Sequence, residues 1–310
     1  MARVQIARLL DPARSLDDDA VAIARSVLYA SLFEYPLTLA QLRQTLIEST
    51  QTPTEILATY AGSPTLQASV EHRDGFFFPR GQYALVQERR RREARSRRFL
   101  ARHRPLLALI AAMPYVRMVA LSGSIAHLNL DGGGDLDLFI VTRGRHVWGV
   151  TVAVLVLAKL LRQRRLLCAN FVVSDERLAL EQQDLFTASQ IIHLKPLAGQ
   201  DVYRTLLAAN PFITAFYPNF HAADARTLQF RRRSVLERGK ALIEALCAWP
   251  SAGIERICRA AYRAHLVRQS ASWRSPEQVR MEPDYLKLHT QSHRRSVLER
   301  FDRAVRNVLD

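Results

Sequence analysis

The feature that most constrains this fold is a pair of aspartates, Asp135 and Asp137, at the head of an apolar run. They lie in the stretch LSGSIAHLNLDGGGDLDLFIVT, from Leu121 to Thr142, and Leu138 to Val141 follow them. These β-prone residues predict a strand, whose side chains alternate between two faces, so both carboxylates point to the same side. Two carboxylates on one face repel each other unless a positive charge lies between them. The pattern therefore predicts a site for a hard divalent cation such as Mg²⁺.

A second part of the pattern is Gly123-Ser124, which follows another short β-type run, Val116 to Leu121. A glycine lets a phosphate approach the backbone closely. Ser124 and the amides that open a short helix can donate hydrogen bonds to that phosphate. Asn129 to Gly134 then form a flexible loop that returns to the aspartates. The alternative interpretation is a glycine-rich acidic hairpin loop that holds no ligand.

A Gly-Ser after one strand, followed eleven positions beyond Ser124 by an Asp-x-Asp that leads another, resembles the DNA polymerase beta-type nucleotidyltransferase superfamily. The resemblance covers Arg117 to Val173. It implies transfer of a nucleoside monophosphate from a nucleoside triphosphate such as ATP, with release of pyrophosphate. It also implies two Mg²⁺ ions held at Asp135 and Asp137, and nucleotide phosphates bound at Gly123 and Ser124.

One position departs from the pattern of that superfamily. Active members usually carry a third carboxylate on a later strand, and the candidate strand here, Leu167 to Val173, has Asn170 at the plausible position. Asparagine offers a carbonyl oxygen to a metal, but it neither takes a proton nor neutralises charge. Asp175 follows this strand with Glu176 and is the alternative third ligand. Weak catalysis, substrate-assisted catalysis and a domain that only binds nucleotide all remain open.

Several basic residues outside the motif are weaker candidates for binding a phosphate or a metal. His289 and His293 are four residues apart, but a third ligand for a metal is not evident. We interpret the whole group as surface, solvated or packing residues: Arg143, Arg145, His127, Lys195, Lys287, His289 and His293.

The N-terminal region is typical of a small helical domain with a hairpin. Helices are predicted over Asp17 to Phe33, Leu39 to Ile47 and Pro53 to Tyr60, and strands over Leu66 to Glu71 and Phe76 to Phe78 around an Asp-Gly turn. Three helices and a hairpin resemble a winged-helix domain. Its third helix normally enters a DNA groove, but here that helix carries one acid and no base. A structural or partner-docking role is therefore favoured over sequence-specific DNA reading.

The chain is strongly basic, with 44 Lys and Arg against 29 Asp and Glu, which gives a formal charge of +15. This balance favours a polyanionic partner, although solvated arginines of a basic proteome explain it equally well. Nine arginines and one acid, Glu93, lie between Arg89 and Arg104 in a helix predicted to start at Tyr83, with Pro105 marking a break or a kink. This segment is either a solvated linker helix or a track for a nucleic-acid backbone.

The fold class indicated is α/β (α+β), because strands alternate with helices from Val116 to Val173, while the pattern after Leu185 is all helical. The core should contain a small mixed sheet. The expected organisation is a winged-helix-like domain at 1–82, a basic linker helix at 83–113, a nucleotidyltransferase core at 114–210 and a helical C-terminal domain at 211–310.

Compartment signals favour the cytoplasm. Met1 to Ala20 lack the apolar centre of a signal peptide, and the longest largely apolar run, Val147 to Leu161, predicts a buried helix because it is too short to span a membrane. Cys168, Cys247 and Cys258 have no metal-site spacing, which fits a reducing environment without disulfides or zinc.

Three functions are compatible with these patterns. The first is a Mg²⁺-dependent nucleotidyltransferase whose acceptor is RNA, a protein side chain or a small molecule. The second is a catalytically weak or inactive module that binds a nucleotide and regulates a partner. The third is an antitoxin-like partner protein. Asn170 separates the first from the second, because an active site needs a carboxylate beside Asp135 and Asp137 more than a binding site does.

Overall fold

The structure is a computed structural model that describes residues 16–224, 234–246 and 250–309. Over these residues the protein is mixed α and β, with one three-stranded and one six-stranded sheet. It divides into two compact units. The first holds the described residues of Met1–Arg89, Ala215–Asn219 and Ser296–Asp310, and the second those of Arg90–Thr214 and Phe220–Arg295.

The N-terminal part of the first unit consists of four helices followed by a hairpin. Its first elements are α1 (Asp18–Ser31), β1 (Leu37–Thr38), α2 (Leu39–Gln44), α3 (Pro53–Gly62), α4 (Pro64–Ser69), β2 (Val70–Arg73) and β3 (Phe76–Pro79). The strand order is β1-β3-β2, all antiparallel. Asp74 and Gly75 have φ values of 51° and 77°, as a tight hairpin turn requires. The hairpin is confirmed, but the stretch predicted as a strand from Leu66 is helical as far as Ser69.

Local capping fixes where these helices start. The carboxylate of Asp17 accepts a hydrogen bond from the Ala20 amide at 2.7 Å, and Thr38 and Thr52 open α2 and α3 with capping boxes. The apolar faces then meet in one core, which includes Ile23, Val27, Leu42, Ile56, Leu66 and Phe77.

The basic segment lies in one helix, α5 (Ala84–Ala111), with Pro105 inside it. The helix continues through Pro105, which excludes a break at that residue. An internal proline costs about 3 kcal/mol, and burial of Leu106, Leu107 and Ile110 in the second core offsets this cost. The division between the two units falls inside α5, between Arg89 and Arg90.

From residue 116 onward, short strands alternate with helices and a largely helical segment follows. The elements are β4 (Val116–Leu121), α6 (Gly123–Ala126), β5 (Leu136–Thr142), α7 (Val147–Leu160), β6 (Leu167–Ser174), α8 (Leu185–Ile192), β7 (Lys195–Ala198), α9 (Gln200–Ala208), α10 (Phe212–Phe216), α11 (Ser234–Leu246), α12 (Ser251–Arg268), β8 (Val279–Met281), β9 (Tyr285–Leu288) and α13 (Arg294–Leu309).

The six-stranded sheet has the order β7-β4-β5-β6-β9-β8. Strands β5 and β6 are parallel, and the other neighbours are antiparallel. The strands β4, β5 and β6 confirm the sequence prediction. The expectation of an all-helical pattern after Leu185 is wrong, because β7, β8 and β9 belong to this sheet. These strands have only 4, 3 and 4 residues, too few for alternation to be recognised in the sequence.

The two faces of this sheet have different surroundings. On β5, Leu136, Leu138 and Ile140 face an apolar core that also contains residues of α5, α7 and α12. Because side chains alternate along a strand, Asp137 and Phe139 face the opposite side. The candidate site therefore lies on the face turned away from this core.

Three further predictions fall partly or wholly outside the residues that the structure describes. Part of the helix expected over Thr227 to Trp249 is α11, and its remaining residues lie outside the described ranges. Cys247 and most of Met1 to Ala20 lie outside them as well. Cys168 and Cys258 are free thiols. In the part of the chain that the structure covers, every helix falls short of the length and apolar content needed to cross a bilayer.

Candidate active site

The turn after β4 brings Gly123 against Asp137. Leu121 pairs with Leu138, and the Ser122 amide donates to the Asp137 carbonyl at 2.9 Å. Gly123 has a φ of +62°, and a Cβ built there would collide with the Asp137 carboxylate, only 3.2 Å from its carboxyl carbon. Only glycine fits both the backbone conformation and the space. The two halves of the sequence motif are thus in direct contact.

Ser124 is exposed in the short helix α6, beside this contact. Its carbonyl accepts a hydrogen bond from the Asn129 amide at 2.9 Å, which closes the turn into the loop before Asp135. Its hydroxyl is therefore carried at the edge of the site, where a ligand can reach it.

The loop from Asn129 to Gly134 is held by α5. Ser96 Oγ accepts from the Leu130 amide at 3.1 Å, and the Arg95 guanidinium donates to the Leu130 carbonyl at 3.0 Å. A Cβ on Gly134 would lie 3.1 Å from the Phe99 ring. These contacts fix both ends of the loop, so the position of Asp135 depends on α5.

Asp135 and Asp137 act on each other electrostatically. Asp135 is exposed just before β5, and Asp137 is half-buried within it. The pKa of Asp137 is raised to about 6, first by burial and then by the negative charge of Asp135, while a hydrogen bond from Asn170 opposes the rise. The pair therefore carries excess negative charge that a cation would neutralise.

Asn170, at which the resemblance led us to expect a third carboxylate, lies beside Asp137. Its Nδ2 donates to Asp137 Oδ1 at 3.1 Å. The group next to the aspartate is therefore a neutral amide. An amide here orients Asp137 and leaves the negative charge of the site at two.

Cys168 is a neighbour of the pair that the sequence analysis treated only as a marker of compartment. It pairs with Asp137 in the parallel register of β5 and β6 and is half-buried, two residues before Asn170. Its thiol pKa is raised to about 11, by burial first and then by the charges of Asp137 and Asp135. In the sequence, Cys168 and Asn170 alternate with the buried apolar residues of β6. This alternation was the signal that could have placed Cys168 on the same face as Asn170.

The structure does not bring Asp175 to the aspartate pair. It follows Ser174, which pairs with Thr142, so it lies six residues of strand beyond Asp137, roughly 20 Å away. Its Oδ1 accepts from the Gly144 amide at 2.7 Å, and Arg117 lies 3.8 Å from its Oδ2. Glu176 lies by Gly144 at the same end. Asp175 is a partner of the β5–α7 turn, because the parallel register carries β6 away from the site.

No cluster of three His, Cys, Asp or Glu side chains suited to a metal ion occurs among the residues that the structure describes. The donors at the site are therefore two carboxylates with the Asn170 amide beside them. This set fits one hard cation better than the two implied by the resemblance, since a second ion needs further negative charge.

A small cavity of about 30 Å³ lies on the same face of the sheet, between Ser122, Phe139, Phe171 and α8. Lys287 and His289 also line it. Lys287 is 8% exposed, and its Nζ donates to Gln182 Oε1 at 2.6 Å. Burial lowers the pKa of Lys287 to about 8 and that of His289 to about 4. Of the two roles left open for Lys287, solvated or structural, burial excludes the solvated one, because β9 carries the residue into the sheet from a distant part of the sequence.

The remaining basic candidates lie in other surroundings. Arg143 forms an ion pair with Glu244 at 3.3 Å, and Arg145 is exposed in the same turn after β5, at the end of the strand away from Asp137. The His127 ring packs 4.1 Å from that of His193. Lys195 pairs with Leu121 at the start of β7, and His293 is exposed.

Arg89, one of the arginines predicted to contact nucleic acid, is not available for such a contact. It is buried within the first unit, where its guanidinium donates to the Pro36 carbonyl and, at 2.8 Å, to Gln41 Oε1. It also lies 4.2 Å from the centre of the Tyr35 ring. These contacts make Arg89 a packing residue that a phosphate cannot reach.

No protein-family model, curated protein or solved structure matches this chain.

Proposed function

We propose that this chain is a metal-dependent nucleotidyltransferase of the DNA polymerase beta type. The observation that carries the proposal is the close contact between Gly123 and the Asp137 carboxylate, which joins the Gly-Ser turn to the aspartate pair. Burial and the charge of Asp135 raise the pKa of Asp137, while Asn170 supplies one neutral donor. A carboxylate with a purely structural role usually has its charge balanced by further donors or by a cation, so the pair would gain from a bound metal ion.

In this proposal Gly123 and Ser124 bind the phosphates of a nucleoside triphosphate, while Asp135 and Asp137 hold Mg²⁺. When bound, the ion would supply positive charge for the triphosphate. A hydroxyl oxygen of the acceptor forms a bond to the α-phosphorus, the bond from that phosphorus to the bridging oxygen breaks, and pyrophosphate leaves. Asn170 cannot take the hydroxyl proton, which passes to solvent, so we expect slow transfer.

A second candidate function is nucleotide binding without transfer. The observation that favours it is the hydrogen bond from Asn170 to Asp137, because it puts a neutral donor where catalysis would use a base. Such a module would sense a nucleotide and act on a partner, as a regulator or an antitoxin-like protein.

For the first unit we propose a winged-helix-like domain that docks a partner. Its order of helices and strands, with a hairpin after the third and fourth helices, supports this assignment. The exposed surface of α3 presents Thr54, Glu55 and Leu57. Without Lys, Arg, Asn or Gln on α3, base recognition has no donors there.

The test is transfer of label from α-labelled nucleoside triphosphates with Mg²⁺ to RNA, total protein or amino sugars. We expect transfer by the wild-type chain and loss of at least about a hundredfold in Asp135→Asn and Asp137→Asn. Asp131→Asn, an exposed acid of the same loop, is the matched control and should keep its activity. Nucleotide binding without transfer would favour the second function, and absence of Mg²⁺-nucleotide binding would exclude both.

A further inference from the structure

We infer that the acceptor in the proposed reaction is a nucleic-acid strand that lies along four arginines of α5. We call Arg91, Arg95, Arg98 and Arg102 the arginine row. The inference rests on the proposed function, because it names the acceptor class for the same site. Spacings of four, three and four residues place these side chains on one face of the helix. The row extends over about 16 Å of helix axis.

The row is joined to the candidate site through the loop before Asp135. Arg95 donates to the Leu130 carbonyl at 3.0 Å, and Phe99 packs against Gly134 at the other end of the loop. Leu130 precedes Asp135 by five residues, which is at most about 18 Å of chain. Arg95 therefore links the row to a point at most about 18 Å from Asp135, a distance that a few nucleotides would span.

The row has the charge and exposure that a phosphate backbone requires. Arg91, Arg98 and Arg102 are exposed. Glu93 is the one acid between Arg91 and Arg102 in the sequence, and it pairs with Arg97 on another side of the helix. A length of about 16 Å matches roughly five phosphates along one helical strand, and guanidinium groups bind phosphate through paired donors.

The apolar side of α5 argues against an anionic membrane as the partner. Phe99, Leu106, Leu107 and Ile110 pack in the core of the second unit. A helix that binds a bilayer needs such side chains to enter the lipid. The row therefore offers charge without an apolar anchor, which suits a hydrophilic strand with regularly spaced phosphates.

The experiment measures binding of a short labelled RNA, and of DNA of the same sequence, to the full chain by fluorescence anisotropy at several salt concentrations. The test variant is Arg98→Glu with Arg102→Glu. The matched control is Arg256→Glu with Arg263→Glu, which makes the same charge change at exposed positions of α12. We expect the row variant to bind about 10- to 100-fold more weakly, with a salt slope lower by about 1.4, and the control to change less than about threefold.

Several results would overturn the inference. They are equal losses in both variants, tight wild-type binding of polyglutamate or anionic vesicles through the same arginines, and no wild-type binding of RNA or DNA. Transfer of label to a protein or amino sugar that is unchanged in the row variant would overturn it while leaving the proposed function intact. Nucleic-acid binding through the row without any label transfer would instead support the row as a binding surface and contradict the proposed enzymatic activity.

Unchanged thermal unfolding and Mg²⁺-nucleotide binding in both variants show that the fold and site are preserved.

Discussion

An aspartate lies at each end of the paired strands β5 and β6, and the two aspartates differ in how their negative charge is balanced. At one end Asp175 accepts a hydrogen bond from the Gly144 amide and lies near the Arg117 guanidinium. At the other end Asp137 faces a glycine, a second acid and one amide donor, and its pKa is raised to about 6. The charge of Asp175 is therefore balanced by a donor and a cation, whereas Asp137 has one neutral donor and a second acid beside it. This imbalance adds to the support that the sequence motif gives for a cation site at Asp137.

The largest effect should come from closing the space beside Asp137. Gly123→Ala adds a Cβ that collides with the carboxylate at a φ of +62°, and we expect a loss of about 2–4 kcal/mol in the free energy of unfolding. Gly133→Ala is the control, because a Cβ there meets nothing within 4 Å, and it should change stability by less than about 0.5 kcal/mol. Urea unfolding of both variants measures this. Equal stability of the two would mean that the contact at Gly123 is not as described.

The second effect is the pH dependence of stability without Mg²⁺. The pKa of Asp137 rises from an ordinary 3.8 to about 6 in the folded protein. Protonated Asp137 therefore contributes to the free energy of unfolding below about pH 4, and this contribution is lost as the pH rises through 6. The free energy of unfolding should fall by about 2–3 kcal/mol over this range. Asp137→Asn removes this dependence and should be more stable than the wild type at pH 7, whereas Asp175→Ala should be less stable.

Urea unfolding between pH 4.5 and 7 compares the wild type with Asp137→Asn. The buried His193 and His289, each with a pKa lowered to about 4, act in the opposite direction but are common to both proteins. The difference between the two curves therefore reports Asp137. Parallel curves over this range would contradict a raised pKa at that residue.

The third and smallest effect comes from restoring a carboxylate at position 170. Asn170→Asp replaces the donor to Asp137 Oδ1 with a third negative charge, so the protein without Mg²⁺ should lose about 1–2 kcal/mol of stability. With Mg²⁺, calorimetry should show affinity rising about tenfold, and label transfer should increase. Asn170→Ala removes the donor without adding charge and is the control. Weaker Mg²⁺ binding in Asn170→Asp than in Asn170→Ala would show that position 170 does not face the ion.

Much of the fold was predictable because its signals are local. The strands β4, β5 and β6, the Asp-Gly hairpin and the capped helices follow from alternation, glycine and capping residues close in sequence. Packing over long distances decided two outcomes, one that the local pattern left open and one that it predicted wrongly. Pro105 stays inside α5 because the leucines after it are buried, and β8 and β9 form because β6 supplies a partner edge.

At the site, the sequence determined that Gly123 follows a strand and that an apolar strand comes after the first aspartate, and the backbone period predicted that Asp135 and Asp137 share a face. Only the tertiary structure decided what surrounds them. The parallel register of β5 and β6 sets Asn170 and Cys168 beside Asp137 and carries Asp175 to the far end, and β9 brings Lys287 to the same face of the sheet. Register between strands distant in the sequence depends on which apolar faces are buried together, so no local pattern specifies it.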